Sequence, residues 1–400
     1  MTTDAIRILV TLVPALVGAL IYGIHRSRRG RSPLLGGLFG AIAGLAGGLV
    51  FMVPLNYCTF DPEHEPVDFY FGILLLVLGT FLALLIVDRT LVFIEQRRSP
   101  DYEGDHRAGQ FRGRLTPWLL LAPTLTILTL FLYYPAIDNF RLSLLLTRLG
   151  TSRTAFVCVN NYTLLLQPDY IRTIGITIFI SLMIVILTLI LALLVAYVAY
   201  QPITGASIYR TLLIWPYAIS PTVAGIIFSL VFNETVGIAN RSLQAFGVGG
   251  VKWLTDANLA AWTIILASVW KSMGFSILFY IAGLQNVPKD LVEAGAIDGA
   301  NAVQRFRRII IPMLSPITFY LVVTNITYAF FDTFGTIDFL TRGGPAGATS
   351  VMMYRIYVTG IQQSDLGKAA AQSIVLFVLV IGITLIQFRT QGNRAYGGNL

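Results

Sequence analysis

Long apolar runs recur along the chain, and short polar segments separate them. A helix needs about 20 apolar residues to cross a hydrocarbon core about 30 Å thick. Nine runs approach or exceed this length, at residues 8–24, 34–55, 69–87, 118–136, 174–200, 211–232, 259–284, 317–334 and 369–388. These runs are unbroken, whereas the strands of a membrane barrel alternate apolar and polar residues. The pattern therefore predicts an all-α polytopic membrane protein with about nine transmembrane helices.

Composition and charge agree with a membrane protein and predict its orientation. Only 12% of the residues are charged, about half the share in a soluble domain. The net charge of +8 does not indicate a nucleic-acid partner, because arginines fill the first and third loops and acidic residues fill the second. Basic loops stay in the cytoplasm. This predicts a multi-pass membrane protein with its N-terminus outside and its C-terminus in the cytoplasm.

The chain divides into an accessory part and a main part. Residues 1–94 are predicted to form a three-helix unit, 95–116 a polar cytoplasmic linker, 117–390 a six-helix unit and 391–400 a cytoplasmic tail. Basic residues follow the first run, so we interpret it as a retained helix and not as a signal peptide. Four glycines at a spacing of four residues predict a close helix-packing face in the second helix; they are Gly36, Gly40, Gly44 and Gly48.

Cysteine and histidine offer little chemistry. Cys58 and Cys158 both fall in predicted outer loops, where oxidation is permitted. The favoured interpretation is that the two cysteines are unrelated, although the sequence leaves their pairing open. No zinc-binding spacing occurs and the three histidines are scattered, so no metal site is predicted.

The loop between the seventh and eighth runs, residues 286–314, carries the strongest local pattern. Pro288 and Asp290 suit the first turn of a helix, and Asp298 with Gly299 is a turn signal. Pro312 breaks the second helical pattern just before the next apolar run. Two short amphipathic helices joined at a glycine are predicted beneath the membrane. Such an element is either a knob for another protein or an interfacial helix anchored by its arginines.

This loop resembles the "EAA" coupling loop of ABC importer permeases. The matching residues are Glu293, Ala294, Gly295, Gly299, Ile309 and Pro312, with Gly295 standing where the family favours Ala. The segment Ile297-Asp298-Gly299-Ala300 and Phe306 resemble the carbohydrate-uptake branch. The resemblance implies that Glu293, Ala294, Gly295, Asp298, Gly299, Ala300, Phe306 and Pro312 couple the permease to an ATPase subunit.

Further segments resemble the same branch. Leu340 to Pro345, followed by Thr349, is similar to an outer-loop signature, and Phe156-Val157 with Asn161-Tyr162 is similar to a box after the first core helix. Within the branch, residues 115–390 resemble the A-type permeases of glycerol-3-phosphate importers, and maltose permeases are related. The resemblance implies that the outer loop contacts a solute-binding protein through Thr341, Gly343, Gly344, Pro345 and Thr349.

The resemblance implies a type I importer core at 117–390, a location in a bacterial inner membrane, and several partners. No Gly-x-x-x-x-Gly-Lys-[Ser/Thr] phosphate loop occurs in the chain, so no cofactor is expected here. ATP and magnesium are expected on a dimer of partner ATPase subunits. A second permease, an extracytoplasmic solute-binding protein, the bilayer and a sugar or polyol complete the expected partners.

The substrate path is expected to be polar within an apolar setting, because ionisable residues in a membrane are costly and mark function. Lys271 is the deepest cation, and a structural role is as well supported as substrate contact. A structural role at a helix end is favoured for Asp332. The candidates are Trp215, Tyr217, Trp270, Lys271, Asn325, Tyr328, Asp332, Gln372 and Ser373.

Two other functional classes remain as alternatives. An ion-coupled secondary transporter predicts inverted repeats and paired carboxylates at the midplane, and neither pattern is evident. A structural membrane subunit does not need a coupling loop. The favoured function is an ATP-driven importer of a sugar, glycoside or polyol by alternating access. Whether the substrate is phosphorylated is left open.

Overall fold

The computed structural model describes most of the chain from residue 116 onward and short parts before it. The described residues are 15–24, 37–42, 44–45, 116–151, 154–201 and 204–395. They are mostly helical, with one short β-hairpin. Two compact units are distinguished, one formed by residues 1–164 with 364–371 and the other by residues 165–363 with 372–400.

The elements before the long central helices are short, apart from one apolar helical segment. In chain order they are α1 (Ala15–Ile24), α2 (37–42), α3 (Thr116–Leu128), a π-helical turn (Thr129–Tyr133), α4 (Tyr134–Ser143), β1 (Leu145–Thr147), β2 (Thr154–Phe156), α5 (Asn160–Thr163) and a 3₁₀ turn (Leu164–Leu166).

The remaining elements include the longest helices. In chain order they are α6 (Pro168–Ala199), α7 (Ala206–Ile214), a 3₁₀ turn (Trp215–Ala218), α8 (Pro221–Val231), α9 (Ile238–Ala245), α10 (Ala257–Gln285), α11 (Lys289–Ile297), α12 (Ala302–Arg305), a π turn (Phe306–Ile310), α13 (Ile311–Met313), α14 (Ser315–Thr327), a π turn (Tyr328–Asp332), α15 (Thr333–Leu340), α16 (Met352–Tyr357), a π turn (Val358–Gln362) and α17 (Leu366–Ala395).

Helices long and apolar enough to cross a membrane confirm the predicted fold class. The described residues contain five of them: Leu120–Ser143, Pro168–Ala199, Ala257–Gln285, Ser315–Leu340 and Leu366–Arg389. A bent pair of helices adds a sixth candidate. Parts of the first two predicted runs are helical, and the third run, residues 69–87, lies outside the described residues.

The predicted span at 211–232 is wrong as one straight helix. α7, with its 3₁₀ turn, and α8 meet at a bend of 100°. Pro216 and Pro221 explain the break, because proline cannot donate a helix hydrogen bond and disfavours helical backbone at the residue before it. Ser220 is extended, and its hydroxyl caps α8 by accepting a hydrogen bond from the Val223 amide at 3.3 Å.

In the first unit, α1 and α2 approach closely through glycines. A Cβ at Gly40 would meet the Gly18 carbonyl and would lie 2.8 Å from Cβ of Tyr22. This contact agrees with the predicted packing face, as far as it is described. Gly36 and Gly48 lie outside the described residues.

A hairpin and its anchors complete the described part of the first unit. β1 and β2 pair antiparallel with Leu146 opposite Ala155. The Asn161 amide donates to the Ser143 and Leu145 carbonyls at 2.9 and 3.1 Å. Contrary to the favoured interpretation, Cys158 is disulfide-bonded. The chain's other cysteine, Cys58, lies outside the described residues.

The core of the second unit lies where α6 and α10 pack along each other. Two apolar clusters succeed one another along this pair, with Ile184 and Ile264 in one and Ala196 and Ile277 in the other. α14 and α15 contribute Leu321 and Ile337. Small residues on α6 permit the close approach, as expected for helix packing in lipid.

Candidate substrate site and coupling loop

Lys271 lies near the middle of α10 and is 7% exposed. Its Nζ stands 5.3 Å from the ring centroid of Tyr217 and 4.9 Å from that of Tyr328. Both distances fall within the range of cation–π attraction. Among the described residues, no carboxylate lies within ion-pairing distance of Lys271. A buried ammonium is thus held between two aromatic faces without a counter-charge in contact.

Irregular backbone brings these side chains together. Tyr217 lies on the 3₁₀ turn at the 100° bend, and Tyr328 begins the π turn between α14 and α15. π turns inside helices are frequent at functional sites. Gly274 lets the bend approach α10, since a Cβ there would lie 2.8 Å from the Ile214 carbonyl oxygen. Two departures from straight helices therefore converge on one cation.

Two buried hydroxyls lie near this cation. The Tyr328 hydroxyl lies beside that of Ser268, yet neither oxygen has a well-formed hydrogen bond within the described residues. Ser268 is fully buried and precedes Lys271 by three residues, on the same side of α10. Polar groups buried without partners are costly. Sequence reasoning missed Ser268, although its spacing from Lys271 could have identified it.

The other aromatic and acidic candidates are divided between this site and the surface. Asp332 ends the π turn and interacts electrostatically with Lys271 without contacting it. Trp270 is half-buried against the ring of Phe228. Trp215 is largely exposed. The described residues contain no group of three His, Cys, Asp or Glu side chains that would bind a metal.

Asn325 and Gln372 form their hydrogen bonds with groups other than Lys271, Tyr217 and Tyr328. Ser373 follows Gln372 in α17. The buried Asn325 amide donates to the Ser276 hydroxyl at 3.0 Å and the Leu321 carbonyl at 2.8 Å. The Gln372 amide donates to the Thr359 hydroxyl at 3.3 Å, while its Oε1 has no hydrogen-bond partner among the described residues. Asn325 links two helices, so a structural role explains its burial.

The coupling loop has the predicted helix–turn–helix form. α11 contains Glu293, Ala294 and Gly295. Asp298 follows it, and Gly299 adopts φ +82° with open space around it. Asn301 then begins α12 with a capping box. Glu293 is exposed and has no hydrogen bond or ion pair with other described residues.

Several contacts attach this loop to the membrane helices and hold its two helices together. The Phe306 ring packs on Tyr197 of α6 at 4.7 Å. The Arg305 guanidinium donates to the Ala300 carbonyl at 2.8 Å. A Cβ at Gly295 would lie 2.8 Å from Cδ1 of Ile309, so glycine lets the two short helices approach. Pro312 lies in α13, directly before the helix that crosses the membrane.

The predicted outer loop is a tight turn held by two threonines. The Thr349 hydroxyl contacts that of Thr341 at 2.8 Å and donates to the Gly344 carbonyl at 2.6 Å. Gly343 has φ +74° and lies against Tyr354, and the Gly344–Pro345 bond is cis. Burial, and then the Asp338 carboxylate, raise the pKa of Tyr354 above its usual value.

The sequence from the last third of α6 to near the end of α17 matches one protein family. Residues 189–391 match the profile of the binding-protein-dependent transport system inner membrane component family. The chain belongs to this family. It is an inner-membrane permease subunit of an ABC importer, hence a transporter and not an enzyme. This decides against a secondary transporter and a purely structural subunit.

Relatives extend the match beyond this region. The sn-glycerol-3-phosphate transport system permease protein UgpA of Brucella abortus biovar 1 is 38% identical over 72% of this chain and 98% of its own length. UgpA of Rhizobium meliloti is 39% identical over 72% of this chain and 98% of its own length.

Solved structures confirm the fold. A chain of a bacterial alginate ABC transporter, in complex with an alginate pentasaccharide-bound periplasmic protein, aligns with a TM-score of 0.63 at 22% identity. The alignment covers 71% of this chain and 96% of that one. A second structure, of a bacterial ABC transporter involved in alginate import, aligns with a TM-score of 0.60 at 24% identity. This alignment covers 70% of this chain and 96% of that one.

Proposed function

We propose that this permease imports a small polyol phosphate of the sn-glycerol-3-phosphate type, with Lys271 at the substrate site. The UgpA relatives are named for this solute and are 38–39% identical. The single observation that carries the proposal is the Lys271 ammonium, which is buried and forms no ion pair with another described residue. A phosphate would supply the missing counter-charge.

The neighbouring groups suit the rest of such a solute. The Ser268 and Tyr328 hydroxyls have no well-formed hydrogen bond with other described residues, so they can exchange hydrogen bonds with a polyol. The Tyr217 ring offers an aromatic face beside Lys271. Asp332 remains electrostatically coupled to Lys271, and it can hold the site near neutrality when no anion is bound.

The coupling loop supports docking of an ATPase subunit, which would hold ATP and magnesium. Ile297 is 87% exposed and Val303 is 73% exposed. Exposed apolar side chains grouped on a loop mark interaction sites. Glu293 lies on the same loop, is exposed, and has no ion pair with another described residue. Glu293 would form an ion pair with a basic residue of the ATPase subunit. The loop charges predict that this loop lies on the cytoplasmic side, where the ATPase would dock.

A second permease and a solute-binding protein complete the proposed complex. In the span Leu120–Ser143, no residue of the most apolar window is buried by the described residues, which supports packing against another membrane segment. The Thr341–Thr349 turn is the proposed contact for the binding protein. The N-terminus would lie outside. The helix break and the π turns are the proposed points of bending during alternating access.

Substrate-stimulated ATPase activity tests this function. The complete complex, reconstituted in lipid nanodiscs with its binding protein, would be supplied with sn-glycerol-3-phosphate, maltose, trehalose or glucosylglycerol. We expect sn-glycerol-3-phosphate to stimulate hydrolysis most strongly. Stimulation by neutral sugars alone would contradict the phosphate, and stimulation only by an amino acid, a peptide or a metal ion would contradict the substrate class.

A further inference from the structure

The second half of the coupling loop, residues 302–314, lies against the ends of two membrane spans and is called the return segment. Its Phe306 ring packs on Tyr197 in the last turn of α6. A Cβ on Gly283, near the end of α10, would lie 2.8 Å from a side-chain carbon of Leu314. About 12 Å of helix separate Phe306 from Leu314, yet both meet the ends of the α6–α10 pair. The return segment therefore crosses these ends at the surface of the membrane.

Two sides of the return segment are occupied by other parts of the chain. Ile309 lies against α11, since a Cβ on Gly295 would lie 2.8 Å from its Cδ1. Ile310 is 6% exposed and belongs to the apolar cluster between α6 and α10. Arg307 and Arg308 are exposed, and neither forms an ion pair with another described residue. They therefore occupy the side that faces away from α11 and from the apolar cluster.

A third exposed arginine lies at the same end of the membrane helices. Arg389 ends the span that α17 forms. Its neighbour Phe388 contacts Phe319, near the start of α14, at 5.0 Å between ring centroids. The return segment leads directly into α14, so Arg389 lies at the same membrane surface as Arg307 and Arg308. These three residues are called the arginine group.

Exposed apolar side chains adjoin the arginine group on its membrane side. Ile311 and Met313 are each 40% exposed, and Leu385 of α17 is 59% exposed. Ile311 follows Arg307 by four residues, and Leu385 precedes Arg389 by four, so each cation shares a helix face with an apolar neighbour. A cation beside exposed apolar side chains matches a phospholipid, whose charged head lies at the surface and whose chains lie beneath it.

We propose that the arginine group binds the phosphate of an anionic phospholipid in the cytoplasmic leaflet, and that this lipid anchors the coupling loop to the membrane. Anionic lipids give this leaflet a negative surface potential that attracts basic residues close to it. Arginine suits a lipid phosphate because its planar guanidinium can donate two parallel hydrogen bonds to the phosphate oxygens. The loop charges predict that this surface is cytoplasmic. The anchoring would be the same whichever solute is imported.

The arginine group lies apart from the helix proposed to dock the ATPase subunit. Glu293 and Ile297 belong to α11, whereas Arg307 and Arg308 face away from α11. An acidic surface of the ATPase subunit is the competing partner for these cations. Lipid is favoured because the exposed Leu385 beside the group lies on a membrane span and not on the coupling loop.

Fluorescence quenching at one labelled position tests the proposal. In the complete complex, Ile311→Cys would carry a small fluorescent thiol label. The unsubstituted complex treated with the same reagent is the blank, because Cys158 is disulfide-bonded. Nanodiscs would contain phosphatidylglycerol and phosphatidylcholine, with brominated chains on one lipid at a time as short-range quenchers. The ratio of the two quenching curves gives the preference of this position for the anionic lipid.

We expect phosphatidylglycerol to be preferred, and the preference to depend on the arginines. Each arginine near an anionic surface contributes about fivefold to lipid partitioning, so Arg307→Gln with Arg308→Gln should lower the preference about 25-fold. Lysine at both positions keeps the charge and should keep most of the preference. Arg241→Gln is the matched control and should change nothing, because Arg241 is an exposed arginine of α9, before the opposite end of α10.

Two quenching results would overturn the proposal. Equal quenching by both lipids would show no anionic preference, and no quenching by either would show that protein covers the group. The ATPase subunits retained by each complex would be measured in parallel. If the glutamine pair releases the ATPase subunits in every lipid mixture while the lipid preference is unchanged, the arginines bind the ATPase and the proposal is wrong. A lost preference with the ATPase subunits retained would support it.

Discussion

Replacement of Lys271 separates a functional cation from a structural one. Lys271→Met removes the ammonium and keeps an unbranched side chain of similar length. A lysine at the centre of a membrane helix costs about 2.5–3.5 kcal/mol on insertion scales. Contacts with the two tyrosine rings offset part of this cost. No ion pair within the described residues offsets the rest. The complex should therefore assemble with unchanged or higher thermal stability.

Transport should change in the opposite direction. A hydrogen bond to a charged group contributes about 1.5–3 kcal/mol, and each 1.4 kcal/mol corresponds to about a tenfold change. We therefore expect uptake of sn-glycerol-3-phosphate to fall about 10- to 150-fold. The binding protein is a separate chain, so its own affinity for the solute should be unaffected.

The assay is ATP-driven uptake into proteoliposomes, with the melting temperature of the complex measured in parallel. Lys252→Met is the matched control, since it makes the same chemical change at an exposed loop position. Unchanged uptake by Lys271→Met would refute the role in the path. A lowered melting temperature with poor assembly would show that the cation is structural.

Four other changes test separate parts of the account. Glu293→Lys and Gly299→Asp should abolish ATP-driven uptake while the chain still inserts. Glu293 has no partner within the described residues and is therefore available to an ATPase subunit, and a side chain at Gly299 would be strained at φ +82°. Wild-type uptake at normal abundance would contradict this. Gly335→Ala should lower stability by about 1–3 kcal/mol, since its Cβ would lie 2.8 Å from the Thr222 hydroxyl, whereas Gly175→Ala enters open space. Deletion of residues 1–98 should reduce assembly more than it changes the profile of imported solutes.

The sequence was most informative where the determinants are local. Continuous apolar runs predicted the spans, since membrane thickness alone fixes their length. The coupling loop was predicted because its signals, such as Gly299, act within a few residues. Asn161 was recognised as part of a family box, and the structure adds the physical reason: its amide holds the end of the apolar span and the following strand together.

The substrate site was only partly predictable, because tertiary contacts define it. Apolarity counts Pro216 and Pro221 as parts of one run, so the 100° bend was missed. The π turn at Tyr328 leaves no mark in the periodicity of the sequence. Lys271 was found because charge in a span is conspicuous, whereas Ser268 is an ordinary small residue until the Tyr328 hydroxyl is placed beside it.

Binding-protein-dependent uptake tests the central claim most directly. Proteoliposomes containing the complete complex, loaded with ATP and magnesium, would be given radiolabelled sn-glycerol-3-phosphate with and without the solute-binding protein. An importer of this kind should accumulate the label only when both the binding protein and hydrolysable ATP are present. Accumulation without the binding protein, or driven by an ion gradient in the absence of ATP, would contradict the account.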